Sequence, residues 1–237
     1  VTTLVYPYKA AYDDGVELRY SLRSVAQHFH PSDGVLDLLI AGDRPSWLND
    51  TASFIPVTTT ENKSYNIAEK VSAACRALDD GPAVYCDDDF FLLEPVSSIA
   101  LGHQRFSIFQ HVSKVRREEP GSWYCLDVEA TARYLDGGGW ENTHSWEIHR
   151  PFPIVPSDVV EALRPIVEAE SAPVVPLWRT VYGVTLKDTG WPMDDPWTAK
   201  GYKPWGNSWI SLGDGAWVDY GRRLSKWFPV PSPWEKS

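Results

Sequence analysis

Apolar positions along the first hundred residues alternate between two rhythms. Thr2–Tyr6 is a short β-branched and aromatic run ending at Pro7, the pattern of a strand. From about Val16 to Phe29, the residues Leu18, Leu22, Val25 and Phe29 fall on one helical face, with Asp13 or Asp14 placed to cap its start. Val35–Ala41 is a continuous apolar run, as in a buried strand, and Gly42-Asp43-Arg44-Pro45 breaks it. A third strand is expected at Ser53–Val57. Helical spacing returns over Asn66–Leu78 through Ile67, Val71, Ala74 or Cys75, and Leu78. Ala83–Cys86 is a short apolar strand that runs straight into Asp87-Asp88-Asp89.

Beyond residue 100 the pattern loosens. Phe106–Val112 reads as a strand, Gly137-Gly138-Gly139 as a flexible turn, and Trp146–Ile154 as a strand broken by Pro151 and Pro153. Ser157 or Asp158 is placed to cap a helix reaching about Ala169. Residues 187–206, rich in Gly, Pro, Trp and Asp, read as an ordered loop. Asp214–Trp227 reads as a final helix before a Pro-rich tail. No internal repeat is present.

The order strand, helix, strand, strand, helix, strand predicts an α/β fold around a central, mostly parallel sheet. Such sheets bind ligands at the carboxyl ends of their strands, where the acidic triplet sits. A chain of 237 residues suits one domain. Its two parts differ in pattern: 1–100 alternates regularly, whereas 101–237 holds the Trp-rich loop and the C-terminal helix.

Charge and composition narrow the chemistry. With 22 Lys+Arg against 32 Asp+Glu, the net charge of -10 argues against a surface that grips phosphate backbones throughout. The first hundred residues hold most of that excess. Basic clusters at Lys114, Arg116 and Arg117 and at Arg222, Arg223 and Lys226 are either solvated charge or a localised anion-binding face. Three cysteines without CxxC spacing, and an N-terminus without a signal-peptide pattern, predict reduced thiols and a cytoplasmic setting. No apolar run is long enough to span a membrane, and no obligate protein partner is evident. Twelve Trp serve either cores or platforms for sugars and bases.

Three adjacent carboxylates repel one another unless a cation offsets them. Hard oxygen ligands suit Mn²⁺ or Mg²⁺, held by one or two carboxylates plus substrate phosphates. In an extended segment Asp87 and Asp89 point to one side as the metal pair, leaving Asp88 either to reach the sugar or to support the strand. The alternative is a solvated acidic turn. Arg19 and Arg23, four apart on a helix, either bind donor phosphate or pair with acidic side chains. Tyr6 and Tyr8, where the first strand ends, either stack a nucleobase or pack in the core.

Four blocks carry a resemblance: ELRYSLRS (17–24), PSWLN (45–49), VYCDDDFFL (84–92) and FPVPSPWEK (228–236). In this order they resemble the Stealth family of sugar-phosphate transferases, and short glycosyltransferase-like proteins of actinobacterial phages. The resemblance implies a single GT-A-like, Rossmann-related catalytic domain, with 1–100 as the nucleotide-sugar half and 101–237 as the acceptor half, which for a phage-encoded chain would work in the host cytoplasm. The family's Asn-Asp-Asp-Phe-Phe string falls on Asp87, Asp88 and Asp89, with Asp87 in place of Asn. Its opening Trp-Val-Asp-Gly string has no counterpart; Leu4-Val5-Tyr6-Pro7-Tyr8 stands there. By the same resemblance His149, in His149-Arg150-Pro151, is the catalytic histidine, with His144 the competing candidate. Arg179 lies near the donor phosphates, and Asp214 is a late aspartate at the metal.

Together these readings predict a metal-dependent glycosyltransferase that moves a sugar from a nucleotide sugar, a uridine diphosphate sugar foremost, to an acceptor hydroxyl. A glycan, a protein or a hydroxymethylated base in DNA are the acceptors considered. The alternatives are hexose-1-phosphate transfer, the Stealth chemistry itself, and a non-catalytic carbohydrate- or nucleic-acid-binding module.

Overall fold

The computed structural model describes residues 1–10, 14–140, 143–169, 172–186, 190–193, 197–198, 208–212 and 214–236; at 197–198 and 214–219 it describes the backbone alone. The first half runs β1 (Thr2–Tyr8), α1 (Val16–His28), β2 (Leu36–Gly42), β3 (Ser53–Pro56), α2 (Lys63–Arg76) and β4 (Ala83–Tyr85). The second runs β5 (Phe90–Leu92), β6 (Gly102–His103), α3 (Ile108–Glu118), α4 (Trp123–Gly137), β7 (Phe152–Ile154), α5 (Pro156–Val167), α6 (Trp178–Thr185), β8 (Trp191–Pro192), β9 (Trp197–Thr198), β10 (Trp209–Leu212) and α7 (Asp214–Trp227).

The central sheet has the order β3-β2-β1-β4-β7. Its first four strands are parallel, and β7 closes one edge antiparallel to β4. This is a mixed α/β architecture of Rossmann-like type. The chain winds outward from β1 to β3, then α2 carries it back across to β4 on the other side of β1. Right-handed crossovers in opposite directions put α1 and α2 on opposite faces. The strand order therefore reverses between β1 and β4, and a crevice opens outside their carboxyl ends.

Local chemistry explains where the elements depart from expectation. β1 continues through Pro7 to Tyr8. Thr3 N–H donates to Pro82 on the β4 side, so by the two-residue period Pro7 faces that side, beyond the last residue of β1 paired with β4, and no ladder bond is lost. Asp14 does not cap α1. The cap position is Gly15 in the left-handed region, where a Cβ would strike the Tyr8 hydroxyl, while the Asp14 carboxylate takes the Ser46 backbone N–H and hydroxyl. Asp13 lies outside the described residues. Phe106–Val112 is not a strand. Ser107 and Gln110 form a capping box that starts α3 at Ile108. The second expected cap also fails: α5 begins with Pro156 in its first turn, not on a Ser157 or Asp158 side chain. The helices α4 and α6 were not expected. Ser122 caps α4 through the Cys125 N–H. Of the expected loop over 187–206, most lies outside the described residues.

Three of the four sequence blocks form one clasp. Glu235 pairs with both Arg23 and Arg19, at 2.7 and 3.0 Å, and is itself only 3% exposed. Asn49 donates to the carbonyls of Pro233 and Glu235, and Lys236 N–H donates to the Trp47 carbonyl. The fourth block joins through α1: Ser21 Oγ donates to the Phe90 carbonyl at 2.6 Å, and Ser24 Oγ accepts from Leu92 N–H at 3.0 Å. This corrects the expectation that Arg19 and Arg23 bind donor phosphate, because Glu235 occupies both. Burial pushes the Glu235 carboxyl up, but Arg23 and the Ser232 N–H outweigh it and hold it below its ordinary value. The clasp thus contributes stability above the ordinary carboxylate range and loses it as pH falls through the lowered value. Glu235→Ala is expected to lower the unfolding free energy by about 2–3 kcal/mol, since it strands Arg23 without its partner. Urea denaturation at pH 7 measures it; a loss below about 0.5 kcal/mol would mark a mere surface contact.

Among the described residues no helix is long and apolar enough to cross a membrane. Cys75, Cys86 and Cys125 are buried free thiols.

Candidate active site

A cavity of about 610 Å³ occupies the crevice at the reversal point. Pro7 and Lys9 enter it from the end of β1, and Tyr85 with Asp87–Asp89 from the end of β4. Helix α2, the start of α4, the start of α6 and the segment around Glu147 and His149 complete its lining.

After β4 the chain turns instead of extending. Phe90 N–H donates to the Asp87 carbonyl at 3.3 Å, so strand alternation does not govern where the three carboxylates point. Each finds its own surroundings. The Asp87 carboxylate accepts from the Tyr85 hydroxyl and from the Arg179 guanidinium. Asp89 accepts from Ser211 Oγ at 2.7 Å, across the β5–β10 pairing that carries Phe90 opposite Ser211. Asp88 has no such donor side chain among the described residues. Burial, then Asp89, Asp87 and Glu17, hold its carboxyl well above the usual carboxylate range. Burial and Asp87 push Asp89 up to about 6, against the pull of Ser211, His149 and Arg179.

Arg179 organises this wall. It stands in the first turn of α6, 6% exposed, and also donates to the Ile148 carbonyl. Its guanidinium lies 4.7 Å from the ring centre of Tyr85 and 5.7 Å from that of Phe90. Burial opposes its charge, but Asp87, Tyr85 and Glu147 outweigh burial and raise its pKa. Glu147 accepts from the Thr180 backbone N–H at 3.1 Å and its hydroxyl at 2.9 Å, while burial raises its carboxyl. His149 lines the same cavity, in electrostatic reach of both Glu147 and Asp89.

The fold therefore brings together Asp87, Asp88, Asp89, His149 and Arg179 from three separate stretches of chain. It separates the two candidate histidines: His149 lines the cavity, whereas His144 stacks on His103 at 3.9 Å, away from it. Arg179 enters the cavity wall, but its guanidinium is engaged by Asp87 and Ile148, so it positions a carboxylate and is not a free phosphate fork. Tyr6 and Tyr8 are each 1% exposed, Tyr6 bonded to Ser21 at 3.0 Å. Their rings are core, which corrects the nucleobase-stacking expectation. The backbone of Asp214 begins α7, and its side chain lies outside the described residues.

Several cavity residues escaped the sequence reading. Lys70 had a signal, a charge inside the apolar series Ile67, Val71, Ala74. Glu147, Lys63 and Trp123 had none, because only the folded chain brings α2 and α4 to the strand ends. The basic clusters lie elsewhere on the surface; Arg116 pairs with Glu129 at 2.6 Å.

Among the described residues no group of three or more His, Cys, Asp or Glu is arranged to hold a metal ion. The donor chemistry nonetheless fits a hard divalent ion at Asp88 and Asp89. They are adjacent carboxylates, Asp88 held high by burial, Asp89 and Asp87, and Asp89 by burial and Asp87, and neither has an ion-pair partner among the described residues. Asp87 does not fit, because Arg179 and Tyr85 take its carboxylate. No protein-family model matches this sequence, and no curated protein matches it.

Proposed function

We propose that the chain is a metal-dependent glycosyltransferase of GT-A-like fold, transferring a sugar from a uridine diphosphate sugar to an acceptor hydroxyl. The observation that carries this reading is the meeting of Asp88 and Asp89 with His149 in one cavity at the reversal point of a parallel sheet. Asp88 and Asp89 are the residues that would hold Mn²⁺ or Mg²⁺, whose charge would stabilise a departing diphosphate. Tyr85 and Arg179 fix Asp87, so the chain after β4 is held in one turn. His149 is placed to take the proton of the acceptor hydroxyl, with Glu147 and Asp89 beside it to stabilise the imidazolium that results. The half-buried position of these carboxylates, and the ion pair of Asp87 with Arg179, favour a reactive site over a solvated acidic turn.

The test incubates the protein with a panel of nucleotide sugars and Mn²⁺, offers a glycan, a protein or hydroxymethylated DNA as acceptor, and identifies the nucleotide released by mass spectrometry. Release of uridine diphosphate, with the sugar mass gained by an acceptor, is the expected result. Release of uridine monophosphate, with a hexose phosphate gained, would replace this reading by sugar-phosphate transfer. Turnover of no donor would leave a binding module.

A further inference from the structure

Three cations, Lys9, Lys63 and Lys70, line the cavity together with the acidic side chains Glu17 and Glu61. Lys9 follows β1, and Lys63 and Lys70 lie two turns apart on α2. None of the three forms an ion pair among the described residues, although acidic side chains outnumber basic ones by 32 to 22. Lys70 is 2% exposed, and its ammonium donates to the Tyr8 carbonyl at 2.8 Å. An ammonium has three donors, so this bond leaves N–H groups for another acceptor. Gly42 leaves room for the Lys70 side chain, since a Cβ there would meet Lys70 Cε at 2.8 Å and the Tyr8 carbonyl oxygen at 2.0 Å. Burial lowers the pKa of Lys70; Asp43 raises it, Lys9 lowers it again and Asp88 raises it, so Lys9 and Lys70 are near enough to repel. Lys63 occupies the first position of α2, whose first turn holds no acidic residue, and a cation there opposes the helix dipole.

Each of these features is unfavourable for the fold alone: a buried ammonium, a like-charge pair, and a cation at a helix N-terminus. One bound anion would offset all three. The same rim carries a flat apolar surface. Trp123 is 51% exposed, and the Lys63 ammonium stands 5.0 Å from its ring centre. The cavity volume suits a ligand of nucleotide size.

We propose that Lys9, Lys63 and Lys70 form a phosphate-holding wall for a nucleoside diphosphate whose base stacks on Trp123. The inference rests on the transfer reading only for the identity of the anion. It moves donor recognition from Arg19, Arg23, Tyr6 and Tyr8 to residues that the sequence reading did not single out.

The experiment is isothermal titration with inorganic pyrophosphate and with uridine diphosphate, in EDTA and then in Mn²⁺. Lys9 and Lys63 are exposed, so Lys9→Gln and Lys63→Gln leave the core untouched. The double variant is expected to bind both probes in EDTA at least about tenfold more weakly than the wild type. Trp123→Ala is expected to weaken uridine diphosphate about tenfold and leave pyrophosphate unchanged. Lys70→Met, checked for folding by circular dichroism, is expected to weaken both. A double variant within about twofold of the wild type, or a wild type that binds neither probe in EDTA, overturns the wall. Equal loss of both probes in Trp123→Ala overturns the base platform. If the wall binds diphosphate and no donor is turned over, this inference stands and the transfer reading falls. If transfer proceeds with unchanged donor affinity in the double variant, the reverse holds.

Discussion

Asp89→Asn is expected to stop sugar transfer and, in the absence of metal, to make the protein harder to unfold. The substitution keeps the shape of the side chain and an oxygen to accept from Ser211 at 2.7 Å, so β10 stays docked. What it removes is one of the two charges that fit a divalent ion. Transition-state stabilisation by such a charge is worth several kcal/mol, so turnover should fall by about a thousandfold or more. The stability change follows from the same environment. Burial and Asp87 push the Asp89 carboxyl up to about 6 in the folded protein, against about 4 in an unfolded chain. Between those values the unfolded chain has released a proton that the folded one still holds, so stability is lost as pH rises through this window. Asparagine carries no such penalty. In EDTA at pH 8 the variant should therefore be more stable by about 1–2 kcal/mol, with the advantage shrinking toward pH 4. Urea denaturation across that range measures it, and nucleotide release measures turnover. A variant with full activity would remove the metal-site reading, and one destabilised at pH 8 would show that Asp89 is a structural anchor.

Replacing Arg179 by Met should produce the largest loss of stability of any single change in the site, about 3–5 kcal/mol, because it leaves Asp87 without its buried partner. The loss also includes three aromatic contacts, with Tyr85, Phe90 and Trp178. Arg179→Lys should recover little. A lysine cannot reach Asp87 and the Ile148 carbonyl with one planar fork, nor stack on Tyr85. The decisive measurement is a double-mutant cycle. Asp87→Asn in the Arg179→Met background should restore at least about 1 kcal/mol by removing the orphaned charge. Additive losses would mean that Arg179 matters for packing alone. Because Arg179 orders the wall and is not aimed at the donor, its loss should lower turnover more than it raises the Michaelis constant for the donor.

Arg19 and Arg23 show how one motif supports two opposite readings. Their four-residue spacing said only that the two guanidinium groups share a helix face. Glu235, more than two hundred residues away, decides that the face is a clasp. Tyr6 and Tyr8 are parallel cases. Their position at a strand end was legible, but whether a ring there meets a ligand or a helix depends on what packs above it, and α1 packs above Tyr6. The missed helix α4 has a subtler cause. It begins Trp-Tyr-Cys and runs into the first of three consecutive glycines, and its cap, Ser122, stands beside another turn residue, Gly121.

Sequence by itself determined the alternation of strands and helices in the first half, the apolar faces of α1 and α2, and the acidic triplet at the end of β4. These are local facts, set by side-chain periodicity and by residues that end an element. Tertiary structure alone decided which charges meet. It turned the triplet out of strand geometry, gave Asp87 to Arg179, put His149 and not His144 in the cavity, and brought Lys9, Lys63 and Lys70 to the same cavity as Asp88 and Asp89. The physical reason is that the energy of a charge depends on every group within a few ångströms of it, and those neighbours are assigned by the fold, not by distance along the chain.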